Sequence, residues 1–290
     1  MSRSALFVTT VPITLEVFLA PIARSFRRRG WRVDALANGA ADDPALRGVF
    51  DDNFDVAWSR NPLAPSNLIG TAARVRRLVK LGSYDIVHVH TPIAAFVTRF
   101  ALRRLHGPAR PVVIYTAHGF HFYKGQAAVP HGLYRTLERI AAPWTDYLVT
   151  INREDFDAAY ALAGIDPDRV RYIPGIGVDV GRFAEGAIEP SVAAAVRAGL
   201  SVPDDAFMLT MIAEFSPVKR HKHALAALAR VLDPHVVLVF VGTGPLEVEI
   251  RARAASLGIA DRVRFAGYRR DIPAVLAASD ALTLVSAREG

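Results

Sequence analysis

Cysteine is absent from all 290 residues. That excludes disulfide staples and thiolate metal sites, and it fits a protein of the reducing cytosol. Long apolar runs are missing too. The most apolar stretch, residues 5–23, follows Arg3 as a secretion signal would. It is broken by Thr9, Thr10, Pro12, Thr14 and Glu16, so strand, loop and helix describe it better than an inserting core. No short repeat or low-complexity tract occurs. Acidic residues are in the minority, 28 against 35 Lys and Arg, which leaves a net charge of +7. Arg27-Arg28-Arg29, Arg76-Arg77 and Arg103-Arg104 carry much of the excess. Such runs are solvated helix faces or meet anionic lipid or phosphorylated substrate. Nucleic acid is a poor partner for them, because no aromatics interleave on a common face.

Hydrophobic residues make up 51% of the chain, enough for two moderate cores, and the length favours two domains. Short β-branched runs alternate with amphipathic stretches. Strands are expected at residues 5–8, 31–36, 85–90, 112–116, 146–150 and 170–173. Residues 11–14 read as a loop. Leu15, Phe18, Leu19, Ile22 and Phe26 then recur at helical spacing, with Pro21 either kinking that helix or marking its start near Ala20. Gly30 is its expected stop. Further helices are expected at 92–105, around 133–141 and from Arg153. The Gly-rich residues 174–187 break the rhythm, which restarts with strands near 207–212, 236–241, 262–265 and 281–285. The pattern is α/β, with two Rossmann-like, doubly wound parallel-sheet domains. The expected division is 1–175, a linker at 176–190, and 191–290. Ligands of such sheets bind beyond the carboxyl ends of the strands, and with two sheets a cleft between them is expected.

The chemistry-bearing residues lie at those strand ends. In Val239-Phe-Val-Gly-Thr-Gly-Pro245, Gly242 and Gly244 would let backbone approach an anion ahead of a helix N-terminus. Glu247 stands where a dinucleotide fingerprint has its third Gly, so an ordinary strand-to-helix turn is as good a reading. Ser216-Pro-Val-Lys-Arg-His-Lys222 supplies cations that could neutralise a departing diphosphate, or else is an exposed basic turn. His118 and His121 have the spacing of a metal pair, and His88 and His90 share a strand face. Without nearby carboxylates zinc is a poor fit. Hydrogen bonding to a substrate hydroxyl or phosphate suits His118 better, and a satisfied core role suits His88.

Taken together, Asp85-Ile-Val-His-Val-His-Thr-Pro92, Thr116-Ala-His-Gly-Phe-His-Phe-Tyr-Lys-Gly125, Ala213-Glu-Phe-Ser-Pro-Val-Lys-Arg-His-Lys222 and residues 241–290 resemble the retaining family-4 glycosyltransferases of the GT-B fold. The likeness is to enzymes of exopolysaccharide, capsule and lipid-linked glycan assembly. It implies a nucleotide-diphosphate sugar, a UDP-hexose or UDP-N-acetylhexosamine, as co-substrate, with no metal or other cofactor. Lys219 and Arg220 would hold the diphosphate, and Gly242 and Gly244 would line the nucleotide pocket. Gly267, Tyr268 and Arg269 would meet the base. His118 would sit beside the transferring sugar, and Glu289 would contact it. Thr10, Pro12, Thr14, His90 and His121 fall on the acceptor side. A glycan or polyprenyl-diphosphate acceptor would bring a cytoplasmic enzyme to the inner membrane face, where Arg27, Arg28 and Arg29 can meet anionic lipid.

Two departures from the family pattern stand out. Glu214 occupies a position where many members carry a second diphosphate-binding Arg. The family's second glutamate and closing helix would fall beyond Gly290, so a polypeptide ending there is expected to be weakly active or inactive. Two rivals remain at the sequence level, a sugar-nucleotide 2-epimerase and a non-catalytic nucleotide-sugar or glycan-binding protein.

Overall fold

The computed structural model describes residues 3–59, 61–107, 110–122 and 128–289. They divide into two compact units, one up to Gly177 and the other Val178–Glu289. The first contains β1 (Ser4–Val8), β2 (Arg32–Ala37), β3 (Asn53–Asp55), β4 (Ile86–His90), β5 (Val112–Ala117), β6 (Tyr147–Thr150) and β7 (Val170–Tyr172). Its helices are α1 (Pro12–Thr14), α2 (Ala20–Arg28), α3 (Ala72–Gly82), α4 (Pro92–Leu102), α5 (Ala128–Ala141) and α6 (Arg153–Tyr160). The second contains α7 (Pro190–Gly199), β8 (Phe207–Ile212), α8 (His221–Leu228), β9 (Val236–Val241), α9 (Glu247–Ser256), β10 (Val263–Phe265), α10 (Ile272–Ala278) and β11 (Ala281–Leu282).

Every described strand pairing is parallel. The sheets run β3-β2-β1-β4-β5-β6-β7 and β10-β9-β8-β11. Parallel strands covered on both faces must be apolar on both sides, and the strands divide accordingly. Leu6 and Val8 enter one core cluster while Phe7 enters another. Met211, Leu238 and Phe240 form a third, and Met208, Val237, Val239 and Val241 join a fourth on the opposite side. This period of two makes each strand legible as a short, continuous hydrophobic run.

One device sets register at the amino ends. An Asp one or two residues ahead of a strand accepts an N–H from the first or second residue of its neighbour: Asp85 from Ser4, Asp146 from Val113, Asp280 from Met208 and Asp51 from Val33, at 2.7 to 2.8 Å. These carboxylates satisfy N–H groups at the ends of β1, β2, β5 and β8 that lie beyond the regular ladder. Both sheets reverse their strand order once, between β1 and β4 and between β8 and β11. Connections leave those strands toward opposite faces, which opens a crevice at the carboxyl ends.

Three expectations need correcting. Residues 12–14 are not loop: helix begins at Pro12 and passes through a π turn, Leu15–Leu19, into α2. Pro at the first helical position costs nothing, since its missing N–H would be unpaired there anyway. The wide turn falls just before Pro21, where a missing donor disturbs the regular ladder. The helix near 133–141 starts earlier, at Ala128. The edge strand β3 was not expected at all, because Asn-Phe-Asp has neither the length nor the composition of the buried strands. Among the described residues, no helix is long and apolar enough to cross a membrane.

Candidate functional site

In the first unit the site grows from the reversal between β1 and β4. After Val8 the chain turns through Thr9 and Thr10, and Thr9 Oγ1 donates to the Val11 carbonyl. Thr91, the residue between β4 and α4, stands at φ +61, a left-handed conformation uncommon for a β-branched residue. Its hydroxyl accepts from the Thr10 backbone N–H at 3.0 Å and lies 2.7 Å from Thr10 Oγ1. Strain at Thr91 is thus offset by a clasp joining the two strand ends. Thr91 was not singled out from sequence, although Pro92 behind it marks a helix start.

Beside the clasp lies a row of imidazoles. His88 and His90 project from the same face of β4 with ring centroids 4.1 Å apart. His90 Nδ1 lies 2.9 Å from His118 Nε2, and His88 Nε2 lies 2.8 Å from Thr116 Oγ1. Phe18, turned outward from the π turn, stacks on His118 with centroids 5.7 Å apart. Burial holds all three imidazoles below the ordinary range, His88 to about 3, with neighbouring imidazoles adding to the effect at His88 and His90. They are therefore neutral at physiological pH. Behind His118, the buried Asp155 at the start of α6 accepts the Phe120 N–H at 2.9 Å and fixes the path of the strand-end loop.

The other acceptor-side residues are placed less uniformly. Thr10 and Pro12 are part-exposed at the turn, whereas Thr14 is buried. His90 is 1% exposed and lies behind His118. His121 packs edge-on against Tyr134 of α5. Tyr123, Lys124 and Gly125 of the quoted motif lie outside the described residues. Among the described residues, no group of three His, Asp or Glu could hold a metal ion.

In the second unit the site lies beyond β8 and β9. Pro217–Lys219 forms a single 3-10 turn, and Arg220 follows at φ +53 to begin α8. Lys219 Nζ donates to both carboxylate oxygens of Glu289 at 2.8 Å. The Ala287 N–H donates to the Val218 carbonyl at 2.8 Å, so the chain after β11 lies along this turn. Burial acts to raise the Glu289 carboxyl, but the hydrogen bonds and charge of Lys219 prevail and hold it below its usual range. His221 is buried and stacked on Phe215, centroids 4.3 Å apart. Burial lowers its pKa, and the nearby Lys219 charge lowers it further.

The glycine turn serves packing as well as any ligand. A Cβ on Gly242 would stand 2.2 Å from the Ala213 carbonyl oxygen, and one on Gly244 would stand 2.7 Å from the Phe215 nitrogen. Both glycines admit the Ala213–Phe215 backbone, which bonds to Thr243 and Leu246. The Gly242 N–H itself donates to the Gly267 carbonyl at 2.8 Å. Gly267, at φ +67, carries the chain to Tyr268, which is exposed, and to Arg269, whose guanidinium pairs with Asp271. That pair raises the Arg269 pKa and lowers that of Asp271.

Two doubly wound parallel sheets, each with its polar residues at the carboxyl ends, define the α/β GT-B class. HepE of Anabaena, solved in complex with UDP and glucose, matches 99% of this chain over 75% of its own at a TM-score of 0.77 and 22% identity, a likeness of fold. Residues 15–182 match the profile of Glycosyltransferase Family 4, and residues 194–290 that of Glycosyl transferases group 1. The chain belongs to this glycosyltransferase family. EpsD of Bacillus subtilis (strain 168), provisionally named a glycosyltransferase, is 34% identical over 100% of this chain and 74% of its own length. The Escherichia coli UDP-Gal:alpha-D-GlcNAc-diphosphoundecaprenol alpha-1,3-galactosyltransferase is 30% identical over 74% of this chain and 55% of its own length.

Proposed function

We propose that this glycosyltransferase moves a hexose or N-acetylhexosamine from a UDP-sugar to a glycan or polyprenyl-diphosphate-linked acceptor, with retention, in surface polysaccharide assembly. The observation that carries the reading is the pairing of Lys219 with Glu289 beyond β8, a cation and a carboxylate held together at a strand-order reversal. The ammonium suits a diphosphate and the carboxylate suits the hydroxyls of the attached sugar. The name of the Escherichia coli relative, with its UDP donor and diphosphoundecaprenol acceptor, and the UDP and glucose bound to HepE support the substrate classes.

In this mechanism the bond between the anomeric carbon and the diphosphate breaks as negative charge gathers on the leaving oxygens. Lys219, with Arg220 beside it, stabilises that charge more in the transition state than before it. The acceptor hydroxyl attacks from the face the diphosphate leaves, and a leaving oxygen takes its proton. The protein supplies positioning and charge without a covalent intermediate or a metal. Neutral His118 contributes a hydrogen bond to the sugar. With a UDP-hexose and a lipid-linked acceptor, Lys219→Ala is expected to lower turnover by about three powers of ten. An unaltered rate removes Lys219 from the mechanism, and an inverted anomeric product rejects retention.

A peripheral position on an anionic membrane belongs to the same reading. Arg27 is committed to Asp51 and to the Gly48 and Val49 carbonyls, which leaves exposed Arg28 and Arg29 as the lipid-facing pair. Sedimentation with anionic vesicles at low salt should retain the protein, and Arg28→Glu with Arg29→Glu should release it. A wild-type chain that stays in the supernatant sinks the membrane contact.

A further inference from the structure

We propose that His90 is a positioning residue that decides which nitrogen of His118 carries its proton, so that His118 offers an N–H donor from Nδ1. The functional consequence, a donor aimed at a hydroxyl or phosphoryl oxygen of the ligand, rests on the proposed role of His118 beside the sugar.

The Nδ1 of His90 and the Nε2 of His118 are 2.9 Å apart, so one of the two must donate. Each ring is neutral and holds a single proton. If His118 donates, the proton of His90 sits on its Nε2. That atom is buried and has no hydrogen-bond partner among the described residues. Around His90 lie the ring of Phe7 and the ring of His88, whose own Nε2 is engaged by Thr116. An N–H would be stranded there with no acceptor. If His90 donates instead, only a bare lone pair is stranded. Buried donors without acceptors are rarer in folded proteins than underused acceptors. The geometry therefore selects the second arrangement. With His118 Nε2 accepting, the one proton of that ring lies on Nδ1.

Nitrogen–proton correlation spectra of the full chain with isotopically labelled histidine read this directly. The expected result is an unprotonated Nε2 and a protonated Nδ1 on His118, with coupling across the bond from His90. A protonated Nε2 on His118 overturns the assignment. Two substitutions test the consequence with UDP-glucose as the probe donor. His90→Phe fills the space without a donor and should lower turnover about tenfold, whereas His90→Asn returns an N–H near the Nδ1 position and should recover it to within about threefold. Equal losses in the two variants overturn the positioning role. Should the spectrum be as expected while His118→Phe leaves turnover intact, the placement of His118 beside the sugar fails and the proton assignment stands.

Discussion

The ion pair of Lys219 with Glu289 joins the two residues proposed to meet the diphosphate and the sugar. Their exposures, 25% and 43%, keep the pair weak, so a diphosphate can displace the carboxylate at small cost. Glu289→Gln should accordingly separate the two functions. Removing the competing carboxylate should tighten binding of free UDP by about threefold, while transfer falls because the sugar loses its acceptor. Calorimetry with UDP and a transfer assay read the two effects, and weaker UDP binding in the variant contradicts the competition. From the sequence, Lys219 stood out in a basic turn at a strand end and Glu289 through family resemblance, but nothing in a span of residues this long announces that they touch. The glycine turn was read as room for an anion. Its steric demand comes from residues 213–215, which only the fold brings near.

At the level of elements, α4, α5 and β5 are joined by one buried polar network. Arg99 of α4, 1% exposed, donates to Glu138 of α5 at 2.8 Å and to Thr145 at 3.3 Å, and its guanidinium lies over the ring of Tyr115 in β5. Tyr115 in turn donates to Glu138 at 3.2 Å. Arg99→Met would leave the buried Glu138 carboxylate without its cation, with the Tyr115 hydroxyl still beside it, and should destabilise the first unit by about 3–5 kcal/mol. Pairing it with Glu138→Leu should recover most of that loss in urea melts, and a double variant no more stable than the single would refute the coupling. Strands were legible because two-sided burial writes them as apolar runs. The arginine was not, since a charged residue in a helix reads as surface until its partner is seen. Residues 12–14 misled for a related reason. Pro12 and the threonines signal a turn, yet Leu15 and Leu19, at 0% and 1% exposure, draw that segment into helix against the sheet.

Over the whole molecule, the buried His90 and His221 and the half-buried His88 and His118 are held as neutral imidazoles in a chain that otherwise carries excess positive charge. In the unfolded chain each takes up a proton near pH 6.5. The folded chain refuses it until a lower pH, about 3 for His88. Below pH 6.5 the unfolded state therefore binds more protons than the native one. Stability is full at neutral pH and falls as the solution is acidified through that window. Each wholly buried imidazole adds a slope of at most about 1.4 kcal/mol per pH unit. Trp31, Trp58 and Trp144 all lie in the first unit, so their fluorescence reads that unit alone. Its urea midpoint should drop between pH 7 and pH 5, more steeply in the wild type than in His88→Phe. Parallel pH profiles for the two proteins would contradict the assignment of His88 as a neutral base in the fold.

The close approach at Gly242 and Gly244 also bears on how such a chain can change. The atoms that a methyl group would strike are the carbonyls and amide of residues 213–215, not the tip of a side chain. No second mutation can trim a main-chain carbonyl. A selection for revertants of Gly242→Ala should therefore return the original codon far more often than compensating changes elsewhere.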